Sequence, residues 1–244
     1  MPAFSVSGRF KEGIAMKALD GRLQAAADFV TPGGRVADIG TDHGYLPVWL
    51  AGTGKISSAI AADINEGPLQ SAAANIAAEG LAGKIETRLT DGLAGIDLSE
   101  VTDIVVAGMG GMLIAEILEK ELPLAGKNLI LQPMTQAPFL RRWLCENGFA
   151  ILAETPAEAG GKFYTVLNAR YDGEKREADS FFAHVGRMPE ALADPGKAEL
   201  ARRYLAHQLK KLEVILFGMG QSEGARQTAA EYRALAEQIR EVLA

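Results

Sequence analysis

An α/β fold with a mostly parallel sheet is predicted by three features of this sequence. Helical and strand patterns alternate from Met16 to Leu131, the strand candidates are short apolar runs, and the notable polar residues fall directly after those runs. Leu19, Leu23, Ala26, Ala27 and Val30 lie at helical spacing, so Lys17–Val30 reads as an amphipathic helix that Thr31-Pro32-Gly33-Gly34 stops. Strands are predicted at Arg35–Ile39, Ser58–Asp63, Ile85–Leu89, Asp103–Ala107 and Asn128–Leu131. Helices are predicted at Gly44–Ala51, Pro68–Glu79, Met112–Glu121 and Ala137–Asn147. The second of these carries Pro in its first turn and Gly80 beyond its end.

The pattern then changes. Phe149–Glu154 and Phe163–Ala169 are β-like runs around Gly160-Gly161, which predicts an antiparallel edge on the parallel sheet. Tyr171–Asp179 is polar and charge-dense, as a linker would be. Glu199–Phe217 and Ala225–Leu243 are helix-length segments separated by Gly218, Gly220 and Gly224. Leu205, Leu209, Leu212 and Leu216 stripe the first; Tyr232, Leu235, Ile239 and Leu243 stripe the second. Two such stripes predict a coiled-coil-like helical hairpin. The expected division is a Rossmann-like domain over residues 1–170 and a helical hairpin over 171–244.

Composition bounds the function. With 244 residues, 48% hydrophobic and 23% charged, the chain has room for one full-sized domain and an appendage. No apolar run approaches the roughly 20 residues of a membrane span, and the N-terminus does not read as a signal peptide. Cys145 is the single cysteine, which excludes an intrachain disulfide and a thiolate zinc cluster and points to the cytoplasm. Its apolar helical setting, beside Trp143 and Leu144, reads as core packing rather than a nucleophile. A net charge of −6 argues against a nucleic-acid partner, but the distribution softens the objection. Lys197–Lys211 carries five basic residues against Glu199 alone.

Ligands of open α/β sheets bind at the carboxyl ends of the strands. After the first strand the chain reads Asp38-Ile39-Gly40-Thr41-Asp42-His43-Gly44. A dinucleotide loop would be G-x-G-x-x-G, with backbone amides turned toward a pyrophosphate. Here only Gly40 and Gly44 are present, and Asp38 and Asp42 would repel a pyrophosphate. They suit a phosphate-free ligand carrying an ammonium and a sulfonium, which describes S-adenosylmethionine. Asp63, ending the second strand and followed by Ile64, is placed for the ribose hydroxyls. Asp91, after the third, can accept from the adenine amine, with Gly92 permitting a tight turn. His43 either borders the transfer site or caps the following helix.

The fourth strand ends in Ala107-Gly108-Met109-Gly110-Gly111. Methyltransferases of exocyclic amines carry Asn/Asp-Pro-Pro-aromatic at this point, giving an acceptor and a stacking ring. Glycines offer neither; they let backbone approach cofactor and target. That suits a ring nitrogen with its own lone pair, where positioning and desolvation dominate catalysis. Packing of helix on strand is the alternative reason for the glycines.

These stretches together carry a resemblance. VADIGTDHGYLP (Val36–Pro47), Asp63–Leu69, Arg88–Leu93, VVAGMGG (Val105–Gly111) and LILQP (Leu129–Pro133) resemble the bacterial tRNA (adenine-22-N1)-methyltransferases of the TrmK family, over nearly the whole chain. One position departs: Met134 stands where the family has Asn. The resemblance implies methyl transfer from S-adenosylmethionine to N1 of adenosine 22 in the D-arm region of tRNA, by a monomer without a metal. The base has to turn out of its stack to expose that edge. Asp42 is the first candidate to balance the charge that methylation creates, with Gly108, Met109 and Gly110 beside the reacting atoms. Ala107 and Gly108 join the cofactor-binding set, and Arg202, Arg203, Lys210 and Lys211 are expected to hold the RNA backbone. Two readings compete: a methyltransferase for another RNA, a small molecule or a protein, and a non-catalytic cofactor-binding module.

Overall fold

A computed structural model describes residues 18–219 and 223–244, with no side-chain detail for 223–225. Lys17, the expected first residue of the opening helix, and Gly220 of the expected interhelical turn lie outside the described residues. In chain order the elements are α1 (Gly21–Phe29), β1 (Arg35–Ile39), α2 (Tyr45–Gly52), β2 (Ser58–Asp63), α3 (Glu66–Ala78) and β3 (Ile85–Leu89). A 3-10 turn follows at Leu98–Glu100, then β4 (Asp103–Gly110), α4 (Gly111–Glu119), β5 (Asn128–Thr135) and α5 (Ala137–Glu146). The remainder is β6 (Phe149–Ala159), β7 (Lys162–Tyr171), α6 (Ser180–Val185), α7 (Met188–Leu192), α8 (Ala198–Gly218) and α9 (Glu223–Leu243). The strands hydrogen-bond in the order β3-β2-β1-β4-β5-β7-β6, a Rossmann-like sheet. β1, β2 and β3 run parallel, whereas β7 is antiparallel to both β5 and β6, so the antiparallel edge read from the sequence is present.

Two compact units make up the chain, one of which contains Val30–Ile104 and the other Asp20–Phe29 and Val105–Ala244. In the first, β1 and β2 are buried almost throughout, as parallel strands covered on both faces must be. The register pairs Ile39 with Ala62 and Asp63 with Leu89, which brings the carboxyl ends of three strands level. The Thr31–Gly34 turn ends in a fixed position because Asp103, fully buried, accepts from the Thr31 amide (3.0 Å) and hydroxyl (2.9 Å). Helix α3 closes on Gly80 at φ +68°, where Leu81 N–H reaches the Ile76 carbonyl (2.9 Å) and Gly80 N–H the Ala77 carbonyl (3.0 Å). That is a Schellman stop, and it satisfies carbonyls the helix would otherwise leave unpaired.

In the second unit, α8 and α9 pack through the expected stripes. Leu205, Leu212, Leu235 and Ile239 are buried together, with Leu209, Tyr232 and Leu243 at their margin. Two features there were not read from the sequence. Residues 172–179 are irregular as expected, but α6 and α7 follow them, each too short to show a period. More consequential is Arg141 on α5, fully buried against Glu154 on β6. Its guanidinium donates to both Glu154 oxygens and to the Ala183 (2.6 Å) and His184 (3.1 Å) carbonyls at the end of α6. Glu154 also accepts from the Thr165 hydroxyl and from the Arg187 amide (3.1 Å). Burial works against the Arg141 charge, but Glu154 and the Tyr204 hydroxyl outweigh it and raise its pKa. Gly186 is required here, since a Cβ at that position would sit 1.9 Å from a Glu154 oxygen.

This pair therefore joins α5, β6, β7, α6 and α8 at one point. Glu154→Ala leaves a buried cation uncompensated, which typically costs about 3–5 kcal/mol. Thermal or urea denaturation is expected to show that loss; a change below about 1 kcal/mol would mean that the pair contributes little.

Candidate cofactor site

The first unit assembles the expected acidic loop at the level ends of β1, β2 and β3. Gly40 has φ +74°, His43 +57° and Gly44 +67°, so the chain turns sharply between β1 and α2. His43 adopts this conformation without being glycine; its carbonyl accepts from the Asn75 amide on α3 (2.8 Å) and its ring stacks on Tyr45 (centroids 5.3 Å apart). Gly44 is also a contact point, because a Cβ there would lie 3.2 Å from the Ala72 Cβ of α3. The helix-capping reading of His43 does not hold: Gly44 is the N-cap of α2, and no side chain caps it.

Two amides of this loop are already engaged. Gly40 N–H (2.8 Å) and Thr41 N–H (2.9 Å) both donate to the Ala62 carbonyl at the end of β2. A pyrophosphate could not claim them without breaking the link between the two strand ends. The loop instead presents carboxylates. Asp38 is buried, 6% exposed, and accepts from the buried Thr41 hydroxyl (2.7 Å). Burial pushes its pKa up to about 6; the Thr41 hydrogen bond opposes this, and the charge of Asp63 adds to it. Asp42 is the opposite case: its side chain is 82% exposed and lies 3.2 Å from His43 Nε2. Asp63 accepts from the Asn65 amide (2.8 Å), which holds its carboxylate over the start of α3. Thr90 N–H donates to the Asp63 carbonyl (2.9 Å), so the Thr90-Asp91-Gly92 turn is tied to the same edge, with Gly92 at φ +62°. Ile64 and Leu89, 62% and 54% exposed, are the large apolar side chains of these strand ends. An acid-lined, phosphate-refusing edge with exposed apolar side chains fits a cationic ligand that carries an aromatic base.

The Ala107–Gly111 segment belongs to the second unit and departs from expectation in shape. It is not a loop after a strand ending at Ala107: β4 runs to Gly110 and α4 starts at Gly111. The physical reason is Gln132 on β5, buried to 1%, whose Oε1 accepts from the Gly108 N–H (3.1 Å). Gly108 has φ +82°, a conformation that suits glycine. Gly111 is a packing glycine, since a Cβ there would meet the Gln136 carbonyl at 2.5 Å. Gln132 Oε1 also lies 3.4 Å from Arg22 on α1, whose guanidinium reaches Met134 Sδ (3.4 Å) as well. The sequence reading missed Gln132, although the LQP stretch that contains it had been singled out. Among the described residues no group of His, Cys, Asp and Glu is arranged to hold a metal ion, and no helix is long and apolar enough to cross a membrane.

Known proteins resemble this chain in sequence and fold. A methyltransferase-domain family model matches residues 19–167. The chain is 33% identical over 223 residues to the tRNA (adenine(22)-N(1))-methyltransferase of Bacillus subtilis, covering 91% of this chain and 94% of that protein. The chain belongs to the TrmK methyltransferase family. The crystal structure of the B. subtilis m1A22 tRNA methyltransferase TrmK superposes with a TM-score of 0.78 at 33% identity, covering 94% of this chain and all of that one. Streptococcus pneumoniae Sp1610, solved in complex with S-adenosyl-L-methionine, gives a TM-score of 0.78 at 37% identity, with 93% of this chain and all of that one covered. The fold and the cofactor are thus those of S-adenosylmethionine-dependent methyltransferases.

The four cations expected to contact RNA in this TrmK chain are not alike. Arg203 is paired with Glu158 through two hydrogen bonds of 2.9 Å and lies over the Phe163 ring at 5.0 Å. Arg202 donates to the Leu243 carbonyl at the end of α9 (2.8 Å). Lys210 and Lys211 are exposed and make no ion pair with any described residue.

Asp38 supplies the test of the site. Its folded-state pKa lies above the ordinary 3.8, so the group costs nothing at low pH and destabilises the fold as pH rises through about 6. Asp38→Asn keeps an acceptor for Thr41 without the charge. At pH 8 the cofactor-free variant is expected to be more stable than wild type, by at most about 3 kcal/mol, with the gap closing near pH 4. Its affinity for S-adenosylmethionine is expected to fall about tenfold or more. Calorimetric unfolding and cofactor titration check both; a variant that is less stable at pH 8 contradicts this view of Asp38.

Proposed function

We propose that the protein transfers the methyl group of S-adenosylmethionine to N1 of adenosine 22 in tRNA, as a cytoplasmic monomer. The observation that carries the reading is the acid-lined loop whose Gly40 and Thr41 amides are held by the Ala62 carbonyl, in a chain 33% identical over 91% of its length to a tRNA (adenine(22)-N(1))-methyltransferase. Asp38, Gly40, Thr41, Asp42, His43 and Gly44 form the methionine end of the cofactor site. Asp63 with Ile64 takes the ribose, and Asp91 with Gly92 the adenine. Ala107 and Gly108 complete the proposed set.

When bound, S-adenosylmethionine supplies an electrophilic methyl group. The chain's own contribution is then positional. Adenine N1 already carries a lone pair, so no general base is needed before attack. Gln132 holds the Gly108 amide, which keeps the Gly108-Met109-Gly110 backbone in one conformation. Asp42, exposed and ionisable, balances the positive charge that appears on the methylated ring. We assign cofactor chemistry to residues 1–170 and RNA retention to the helical region 171–244. Within that region Lys210 and Lys211 have no carboxylate to leave among the described residues, whereas Arg202 and Arg203 also hold the fold.

Incubation with unmodified tRNA and labelled cofactor, followed by mapping of the modified nucleotide, tests the assignment. The expected product is 1-methyladenosine at position 22; label on another atom or position overturns the specific reading. Reversing charge at Lys210 and Lys211 together is expected to weaken tRNA binding and to flatten its salt dependence, by about one log unit of slope per lost phosphate contact. Cofactor affinity should be unaffected, and an unchanged salt slope would remove these lysines from the RNA contact.

A further inference from the structure

A cleft of about 100 Å³ opens in the second unit, bounded by the end of β5, the start of α5, β7 and α8. Some of its polar groups are already engaged. The Thr165 hydroxyl bonds Glu154, Tyr204 bonds Arg141, and His184 Nδ1 contacts the Ser180 carbonyl at 2.8 Å. Three are not. The amides of Gln136 and Gln208 and the Lys211 ammonium make no hydrogen bond or ion pair with any described residue, yet all three line this one cleft. Its apolar lining comes from Met134, Phe163 and Tyr164, with the Arg22 guanidinium 5.4 Å from the Tyr164 ring centre. Gln136 is also one of the few non-glycine residues at positive φ, +59°. That backbone persists because its carbonyl caps α5 through Leu140 N–H (3.1 Å) and lies against Gly111.

Two amides that both donate and accept, a cation without a partner and aromatic walls are the groups that read an unstacked nucleotide. A free anion would leave the amides and rings unused, and an apolar ligand would leave the cation and amides unpaired. We propose that this cleft holds one unstacked nucleotide of the tRNA other than the methylated adenosine. Its phosphate lies on Lys211, and its base edge on Gln136 and Gln208. The proposal rests on the tRNA reading above and adds to it a contact with a nucleotide other than the one that reacts.

The test is steady-state methylation of unmodified tRNA by the full chain carrying Gln136→Ala and Gln208→Ala. Neither side chain has a described protein partner, so the fold is expected to be kept, and circular dichroism with cofactor titration verifies this. Loss of two neutral hydrogen bonds is expected to raise KM for tRNA about 5- to 20-fold, with the deficit in kcat/KM carried by KM. Photocrosslinking of the wild-type protein to a 4-thiouridine-substituted transcript should label the peptides of residues 133–138 or 163–165. Unchanged KM, with crosslinks elsewhere, overturns the cleft as a nucleotide site. A fall confined to kcat overturns it too, because the cleft would then hold the reacting adenosine. Wild-type protein that methylates no tRNA removes the underlying reading; wild-type protein that does so while the variant matches it removes this proposal alone.

Discussion

A carboxylate buried without a cation among the described residues is the constraint around which the cofactor unit is built. Of those residues only a hydroxyl donates to Asp38, and Asp63 adds negative potential to its surroundings. A site for a phosphate would not tolerate this, and a core with no ligand would gain from replacing the acid. The surrounding geometry serves the same end: the Gly40 and Thr41 amides are held by Ala62, and the loop turns away through His43 and Gly44. A ligand ammonium near Asp38 would restore what burial costs, so stability and affinity are opposed in this residue.

The second unit handles its buried charge differently. Arg141 and Glu154 satisfy each other and also bond the end of α6, the Arg187 amide and the Thr165 and Tyr204 hydroxyls. Nothing in that network awaits a ligand. Its effect is to set α8 against β6 and β7, and with it the free lysines and glutamine of the proposed RNA-binding face. One unit thus leaves a buried acid without a cation among the described residues, while the other pairs its buried charge and thereby positions the proposed RNA-binding face.

Much of this was legible in the sequence. β1 and β2 have the bounds their apolar runs predicted, because buried parallel strands must be short and apolar between turn residues; β3 has its predicted bounds although most of its residues are exposed. The acids at the ends of those strands were legible for the same reason: chain order alone puts them on one edge. What was hidden depended on partners far apart in sequence. Arg141 reads as a surface residue of an amphipathic helix until Glu154 is known to face it. β4 looked three residues shorter because two glycines argue against a strand, and only the Gln132 side chain shows why the extended backbone persists. Likewise, the basic strip of α8 looked uniform, yet Arg203 faces Glu158 and Lys211 faces a cleft. Helical period gives a face, not the group opposite it.

The claim that Asp38 keeps the site for a cation is tested most directly by the protons exchanged when S-adenosylmethionine binds. Titration calorimetry at pH 6, in buffers of different ionisation enthalpy, counts them. With a pKa of about 6 in the free protein, Asp38 is about half protonated at that pH. The account therefore predicts release of about half a proton per cofactor bound at pH 6, falling as the pH rises because Asp38 is then already ionised and the ligand's own amine takes up protons. Binding that releases no proton at pH 6, or takes one up, would contradict it.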